Sequence, residues 1–246
     1  MTPPDADKRH PPPSRTARLA DRTWTEVRDE ADRVLLVPVG SCEQHGPHLP
    51  LDTDTRVALA VADAAARRRA DLVIAPAVAY GASGEHAGFP GTLSVGTEAL
   101  RALLVELGRS AFPPEGPRPW RALVLVDGHG GNREAVGGAV RQLRDEGRPV
   151  TSWSPRIEGG DAHAGRSETS LLLAIHPVGV RDERPVGQVA ALAELLPALR
   201  AGGVASVSPD GVLGDASGAS AEEGERVLAS LVDDLLATVE QAAAPS

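Results

Sequence analysis

The sequence predicts an α/β fold, a central and mostly parallel sheet with helices on both faces. Three observations carry this. Short apolar runs rich in β-branched residues alternate along the chain with longer stretches of helical periodicity. The strand-like runs are almost wholly apolar, as strands buried on both faces are. Polar, glycine-containing clusters follow several of these runs, where open α/β sheets carry their ligands.

Taken in order, residues 1–16 (MTPPDADKRHPPPSRT) read as a disordered Pro-rich arm, since three consecutive prolines cannot join a helix and little there can be buried. Residues 17–246 read as a single domain. Residues 33–39 (RVLLVPV) form the first expected strand, 55–69 an Ala-rich helix, and 72–78 (LVIAPAV) the second strand. Over 97–112, Leu100, Leu103, Leu104, Leu107 and Ala111 share one helical face, with Thr97 as N-cap. Residues 122–126 (ALVLV) give a third strand, Val136, Ala139, Val140 and Leu143 mark the next helix, and 149–153 give a fourth strand. A short helix is expected over 168–175. Val227, Leu228, Leu231, Val232, Leu235, Leu236 and Val239 make a last helical stripe. Residues 113–119 (PPEGPRP) read as a surface loop, and 202–220, rich in Gly, Ser and Asp, as a long one.

Composition narrows the function. A chain of 246 residues with 41% apolar side chains can bury a real core, and with 2% aromatics that core is aliphatic. So few aromatics cannot build a stacking platform for single-stranded nucleic acid. The net charge of −9 argues against a nucleic-acid backbone or an anionic membrane as main partner. Cys42 is the only cysteine, so no intrachain disulfide forms. No apolar run nears the roughly 20 residues that span a bilayer. The N-terminus lacks an apolar signal core, so a cytoplasmic location is expected.

The polar clusters hold the chemistry. They are 40–54 (GSCEQHGPHLPLDTD), 80–92 (YGASGEHAGFPGT), 127–132 (DGHGGN) and 160–170 (GDAHAGRSETS), and five of the seven histidines lie in them. Glu43 and His45 can converge on neighbouring cations, with Asp54 opening the next helix as a bridging carboxylate. Equally, Asp54 can be an ordinary N-cap and the other two solvated loop residues. His129 sits among glycines that allow close backbone approach, with Asn132 a candidate helix cap. The rival readings are a structural histidine or a phosphate loop. The dinucleotide pattern fails because Arg133 stands where its third glycine belongs. His163 is a candidate proton donor to a leaving nitrogen. Glu168 starts a helix, where the dipole alone would favour a carboxylate. Ser83, Glu85 and His86 read as substrate contacts. A serine nucleophile is not supported, since no G-x-S-x-G elbow is present. Cys42 is a poor nucleophile beside Glu43.

Together, GSCEQHGPHLPLDTDT (40–55), EHAGFPGT (85–92), DGHGGN (127–132) and HAGRSETS (163–170) resemble the creatininase family over about residues 33–180. The resemblance implies a three-layer α/β sandwich, two divalent metal ions per subunit, a homo-oligomer (often a hexamer) and hydrolysis of amide, lactam or formamide bonds. It implies that Glu43 and His129 hold one metal, His45 the other, and Asp54 both. Creatininase proper also uses a glutamate two residues after the motif histidine. Gly131 stands there in this chain, and Glu168 of the E-T-S motif is the expected replacement. The ligand set suits Fe(II) or Zn(II), with Mn(II) next. Creatininase proper carries a tryptophan just upstream of the histidine matching His163, and this chain has Gly159 and Gly160 there. LPLDTDTR with GDAHAGRSETSLLLA looks most like a family branch of peptidases. Those cut a modified, cross-linked Val-Tyr unit from the C-terminus of a ribosomally made precursor peptide. A creatinine- or formamide-type small-molecule amidohydrolase is the alternative within the family. A nucleotide-binding module using the Gly-rich turns is the alternative outside it.

Overall fold

The structure, a computed structural model, describes residues 17–243. The arm expected over residues 1–16 lies outside the described residues. Four strands, β1 (Arg33–Val39), β2 (Leu72–Ile74), β3 (Trp120–Asp127) and β4 (Val150–Trp153), form one parallel sheet in the order β2-β1-β3-β4. The helices among the described residues are α1 (Trp24–Arg28), α2 (Thr53–Arg68), α3 (Thr97–Ala111), α4 (Arg133–Asp145), α5 (Arg166–Ile175), α6 (Leu192–Gly202) and α7 (Ala221–Ala243).

Successive strand side chains go to opposite faces, which splits the core into two layers. Val34, Leu36, Val124 and Val126 pack with α2, α5 and α7. Leu35, Val37, Leu123 and Leu125 pack with α3 and α4. From β1 the chain runs through α2 to β2, on one side. From β3 it runs through α4 to β4, on the other side and over the opposite face. The carboxyl ends of the neighbouring strands β1 and β3 therefore flank a topological switch point, where a crevice opens. The 40–54 and 127–132 segments leave the sheet there.

The structure departs from the sequence reading in several places. The expected second strand, 72–78, stops at Ile74 because Pro76 has no N–H to give. The chain still follows β1, with the Ala75 amide on the Leu36 carbonyl and Val78 on Pro38, both 2.9 Å. Thr97 is not the N-cap of α3. Gly96 takes that position with φ at 78°, and Thr97 is the first helical residue. On the expected face of α3, Leu100 and Leu104 are buried, but Leu103 and Leu107 are 46% and 38% exposed. They border an apolar groove of about 720 Å³ beside β2. Asn132 makes no helix cap. Two helices lie outside those the sequence predicts. Helix α1 carries a capping box between Thr23 and Glu26, a T-x-x-E signature visible in the sequence. Helix α6 contains Pro197, which reads as a breaker. The 202–220 segment is irregular, as expected, yet Val204, Ser208, Val212, Leu213 and Ala216 are buried. It is tied to the chain before α5, with the Leu213 amide on the His163 carbonyl at 2.9 Å. No helix among the described residues is long and apolar enough to cross a membrane.

Candidate metal centre

Each candidate side chain arrives on a different part of the crevice. The β1–α2 loop carries Glu43 and His45, the first turn of α2 carries Asp54, and the end of β3 leads into His129. The first turn of α5 carries Glu168, with His163 just before it, and a short 3-10 turn (Gly84–His86) carries Glu85 and His86. Asp54 stands at the middle. Its Oδ1 lies 3.1 Å from His45 Nε2, and its Oδ2 lies 3.1 Å from His129 Nδ1. Ser41 Oγ donates to Oδ2 at 2.6 Å. Glu43 Oε2 is 3.1 Å from His129 Nε2, Glu168 Oε2 is 3.9 Å from His45 Nε2, and Glu85 Oε1 is 3.5 Å from His129 Nε2. His86 Nε2 and His163 Nδ1 approach Glu43 Oε1 at 3.2 and 3.8 Å. Ser83 is fully buried, and its hydroxyl has no hydrogen-bond partner among the described residues.

Three sets of donors lie close enough to share an ion: Glu43 with Asp54 and His129, His45 with His163 and Glu168, and Glu43 with His86 and His163. Asp54 is hydrogen-bonded by His45 and Ser41, but several of the other converging atoms are not satisfied. Both carboxylate oxygens of Glu43 and Nε2 of His129 are buried without a hydrogen bond. Leaving such charged or polar groups unpaired costs several kcal/mol, about as much as an ion among them would offset. His45 is oriented by its Nδ1, 3.2 Å from the Glu43 carbonyl, so that Nε2 is the nitrogen facing Asp54 and the one that would hold a cation in place of its proton.

The electrostatics show the same crowding. Burial, then Asp54, pushes the Glu43 carboxyl up to about 7. Burial raises Glu168 as well. For Asp54, burial is outweighed by His45 and His129, which hold it well below the usual range. Burial lowers His45, but Asp54, Glu168 and Glu43 outweigh it and push it up to about 9. Burial, with His45 and His86, holds His163 well below its ordinary value. His163 is therefore neutral at rest, so the expected proton donor must first take up a proton. Solvent reaches the cluster beside Glu85 and Glu168, whose side chains are 36% and 25% exposed. Ser83 and His86 are buried behind them.

Residues 20–239 match the Creatininase family, described as creatinine amidohydrolase. The chain belongs to the creatininase family. Over 235 residues it is 56% identical to the mycofactocin precursor peptide peptidase of Mycobacterium ulcerans (strain Agy99), covering 91% of this chain and 88% of that one. A relative with the same description from Mycolicibacterium smegmatis (strain ATCC 700084 / mc(2)155) is 55% identical over 208 residues, 81% of each chain. The crystal structure of a creatinine amidohydrolase (creatininase) superposes with a TM-score of 0.76 at 26% identity, covering 95% of this chain and 100% of that one. Other solved creatininases are described as the Mn form and, for a point mutant, as Zn-Zn type.

Within this creatininase-family chain, Gly131 has a physical explanation. A Cβ there would lie 2.2 Å from Glu85 Oε1 and 2.4 Å from His129 Nε2, so the Glu85 carboxylate occupies the space of the missing side chain. Glu168 approaches from the opposite quarter, on His45, with the Ala164 amide donating to its Oε2 at 2.6 Å. Residues outside the sequence-predicted site hold the centre in shape. Asn132 donates to Asp127 and to the Gly40 carbonyl, both at 3.0 Å, and accepts from the Ala82 amide at 2.9 Å, tying three loops together. His48 is buried with Nε2 2.8 Å from Thr169 Oγ1, which steadies the turn carrying Glu168. An Asn after a Gly-Gly pair signals a turn, and only the fold shows that it braces three loops.

Proposed function

We propose that this chain is a metal-dependent peptidase that hydrolyses an amide bond near the modified C-terminus of the mycofactocin precursor peptide, releasing the cross-linked Val-Tyr-derived unit. Residues 17–246 act as one catalytic domain, as a homo-oligomer such as a hexamer, in the cytoplasm. The observation that carries the hydrolase reading is Asp54, with one oxygen on His45 and the other on His129, beside the unsatisfied carboxylate of Glu43. The substrate rests on identities of 52–56% to relatives described as that peptidase. Gly159 and Gly160, where creatininase proper has a ring-covering tryptophan, argue against creatinine. The nearby Trp153 is buried and donates to Asp234 at 2.8 Å.

Glu43 and His129 would hold one cation, His45 and Glu168 the other, and Asp54 both. Three carboxylates and two imidazoles suit Fe(II) or Zn(II), with Mn(II) next. When bound, two such cations supply Lewis acidity toward the scissile carbonyl and make water nucleophilic at neutral pH. The protein's own proton work falls to His163. It starts neutral, accepts a proton from the attacking water at Nδ1, and delivers it to the departing nitrogen. Glu85, open to solvent at the mouth, is suited to contact the incoming peptide, with Ser83 and His86 behind it. Phosphate is a poor guest among four carboxylates, which argues against a nucleotide-binding role.

The test is mass spectrometry of the metal-loaded protein with modified precursor peptide, unmodified peptide and creatinine. Cleavage near the C-terminus of the modified peptide alone is expected. Faster turnover of creatinine than of the peptide would overturn the substrate assignment.

A further inference from the structure

Three imidazoles, His45, His86 and His163, pack against one another at a tilt in the centre, with ring centroids 4.3 Å apart for His45 and His163 and 4.5 Å for His86 and His163. For each ring, one nitrogen can face the chemistry as a lone pair or as a donor, and the choice decides its role. Gln44, between Glu43 and His45 in sequence, touches two of the three. Its side chain is buried, and backbone groups fix the orientation of its amide. The Gly46 amide donates to Oε1 at 2.8 Å, and Nε2 donates to the Gly211 carbonyl at 3.0 Å. A flipped amide would set donor against donor and acceptor against acceptor. The second Nε2 hydrogen is left for His86 Nδ1, 2.9 Å away. His86 Nδ1 must then be the acceptor, so its proton is on Nε2, 3.2 Å from Glu43 Oε1.

His163 Nε2 lies 2.9 Å from the Gln44 carbonyl oxygen and 3.0 Å from Gln44 Nε2. A carbonyl oxygen only accepts, and both amide hydrogens are already engaged. Nε2 of His163 is thus the protonated nitrogen, and Nδ1 keeps the lone pair. We propose that Gln44 is a positioning residue that sorts these rings: its side-chain amide fixes the His86 proton on Nε2, the nitrogen that faces Glu43, and its carbonyl leaves His163 Nδ1 free for the reaction. His86 is thereby excluded as a metal ligand, although it lies close enough to Glu43 and His163 to form a donor set with them. Gly211 is part of the device. It has φ of +80°, and a Cβ there would lie 1.9 Å from Gln44 Oε1, so only glycine lets the amide seat.

The ring assignment stands on hydrogen bonding alone; its effect on turnover rests on the hydrolase reading. The experiment is long-range proton–nitrogen NMR of the full chain loaded with Zn(II) and labelled with ¹⁵N-histidine, with signals assigned by single histidine substitutions. Both His86 and His163 are expected as neutral rings protonated at Nε2. In Gln44→Met, and in Gly211→Ala, which leaves Gln44 chemically intact, His86 should lose its single proton position while Zn(II) content is kept. With the modified peptide as substrate, kcat should fall about 10–100-fold at little-changed KM. His86 protonated at Nδ1 in the unaltered protein, or an unchanged His86 pattern in Gln44→Met, overturns the proposal. If neither variant folds, the unaltered protein's spectrum still decides. Absence of peptide cleavage with the expected spectrum would instead count against the hydrolase reading.

Discussion

Asp54 concentrates the design into a single side chain, because each of its oxygens faces a different histidine. Replacing it by alanine should release both cations and abolish hydrolysis, with elemental analysis of the purified variant as the readout. Two retained ions would mean that Asp54 does not bridge. Glu168 is a narrower case, since it approaches only His45 among the five proposed ligands. Glu168→Gln should lose about one of two ions while the Glu43, Asp54 and His129 set keeps the other. Loss of both would show that the two sites fill as a unit. His163→Gln should keep its metal and lower kcat by roughly 10²–10⁴, the usual share of a proton-transfer group. Metal loss in that variant would make His163 a ligand instead. The candidate ligands were legible because Glu, His and Asp are chemically conspicuous in Gly-rich loops. Gln44, Asn132 and Ser41 were not, since neutral side chains acquire meaning only from the partners the fold brings to them.

The elements explain why such distant loops meet. Strands β1 and β3 are neighbours whose crossovers leave in opposite directions, so their carboxyl ends share the crevice. At the other end of the sheet, Asp71 fastens the strands. It accepts a bidentate pair from Arg69, at 2.6 and 3.0 Å, and a further bond from Arg121 of β3. Arg69 chiefly, helped by Arg121 and opposed by burial, holds the Asp71 carboxyl down at about 2. A depressed carboxyl stabilises the fold fully above its unfolded value near 3.9, and the gain is lost as pH falls through about 2. Because the group is partly exposed, the gain is on the order of 1 kcal/mol. Asp71→Asn should lower stability by that amount above about pH 5, with the gap to the unaltered protein closing between about pH 4 and 2, followed by urea unfolding. A gap independent of pH would show that charge is not what Asp71 contributes. The strands and main helices were readable because aliphatic periodicity reports burial. The shortened β2 turned on one proline's missing N–H. Helix α6 was hidden behind Pro197 and buries only Leu195.

At the scale of the molecule, one surface remains unexplained by the folded chain alone. The short β2 and the face of α3 leave the apolar groove of about 720 Å³ open, with Leu103, Leu107, Val95 and Tyr80 at 38–52% exposure along it. Exposed apolar surface of this kind marks an interface more often than bare solvent-facing protein. In the homo-oligomer proposed above, a second copy would cover this face. The five proposed ligands, by contrast, gather at the carboxyl ends of β1 and β3, and none of them lines the groove. Assembly and chemistry should therefore separate. Introducing charge with Leu103→Asp and Leu107→Asp together would force two carboxylates into a desolvated contact, which costs several kcal/mol per buried unpaired charge. The double variant should sediment as a smaller species at the same protein concentration, keep its metal, and retain cleavage of the modified peptide per chain. An unchanged sedimentation coefficient would move the interface to another face. A smaller species that had lost its metal would show that neighbouring subunits hold the crevice in shape.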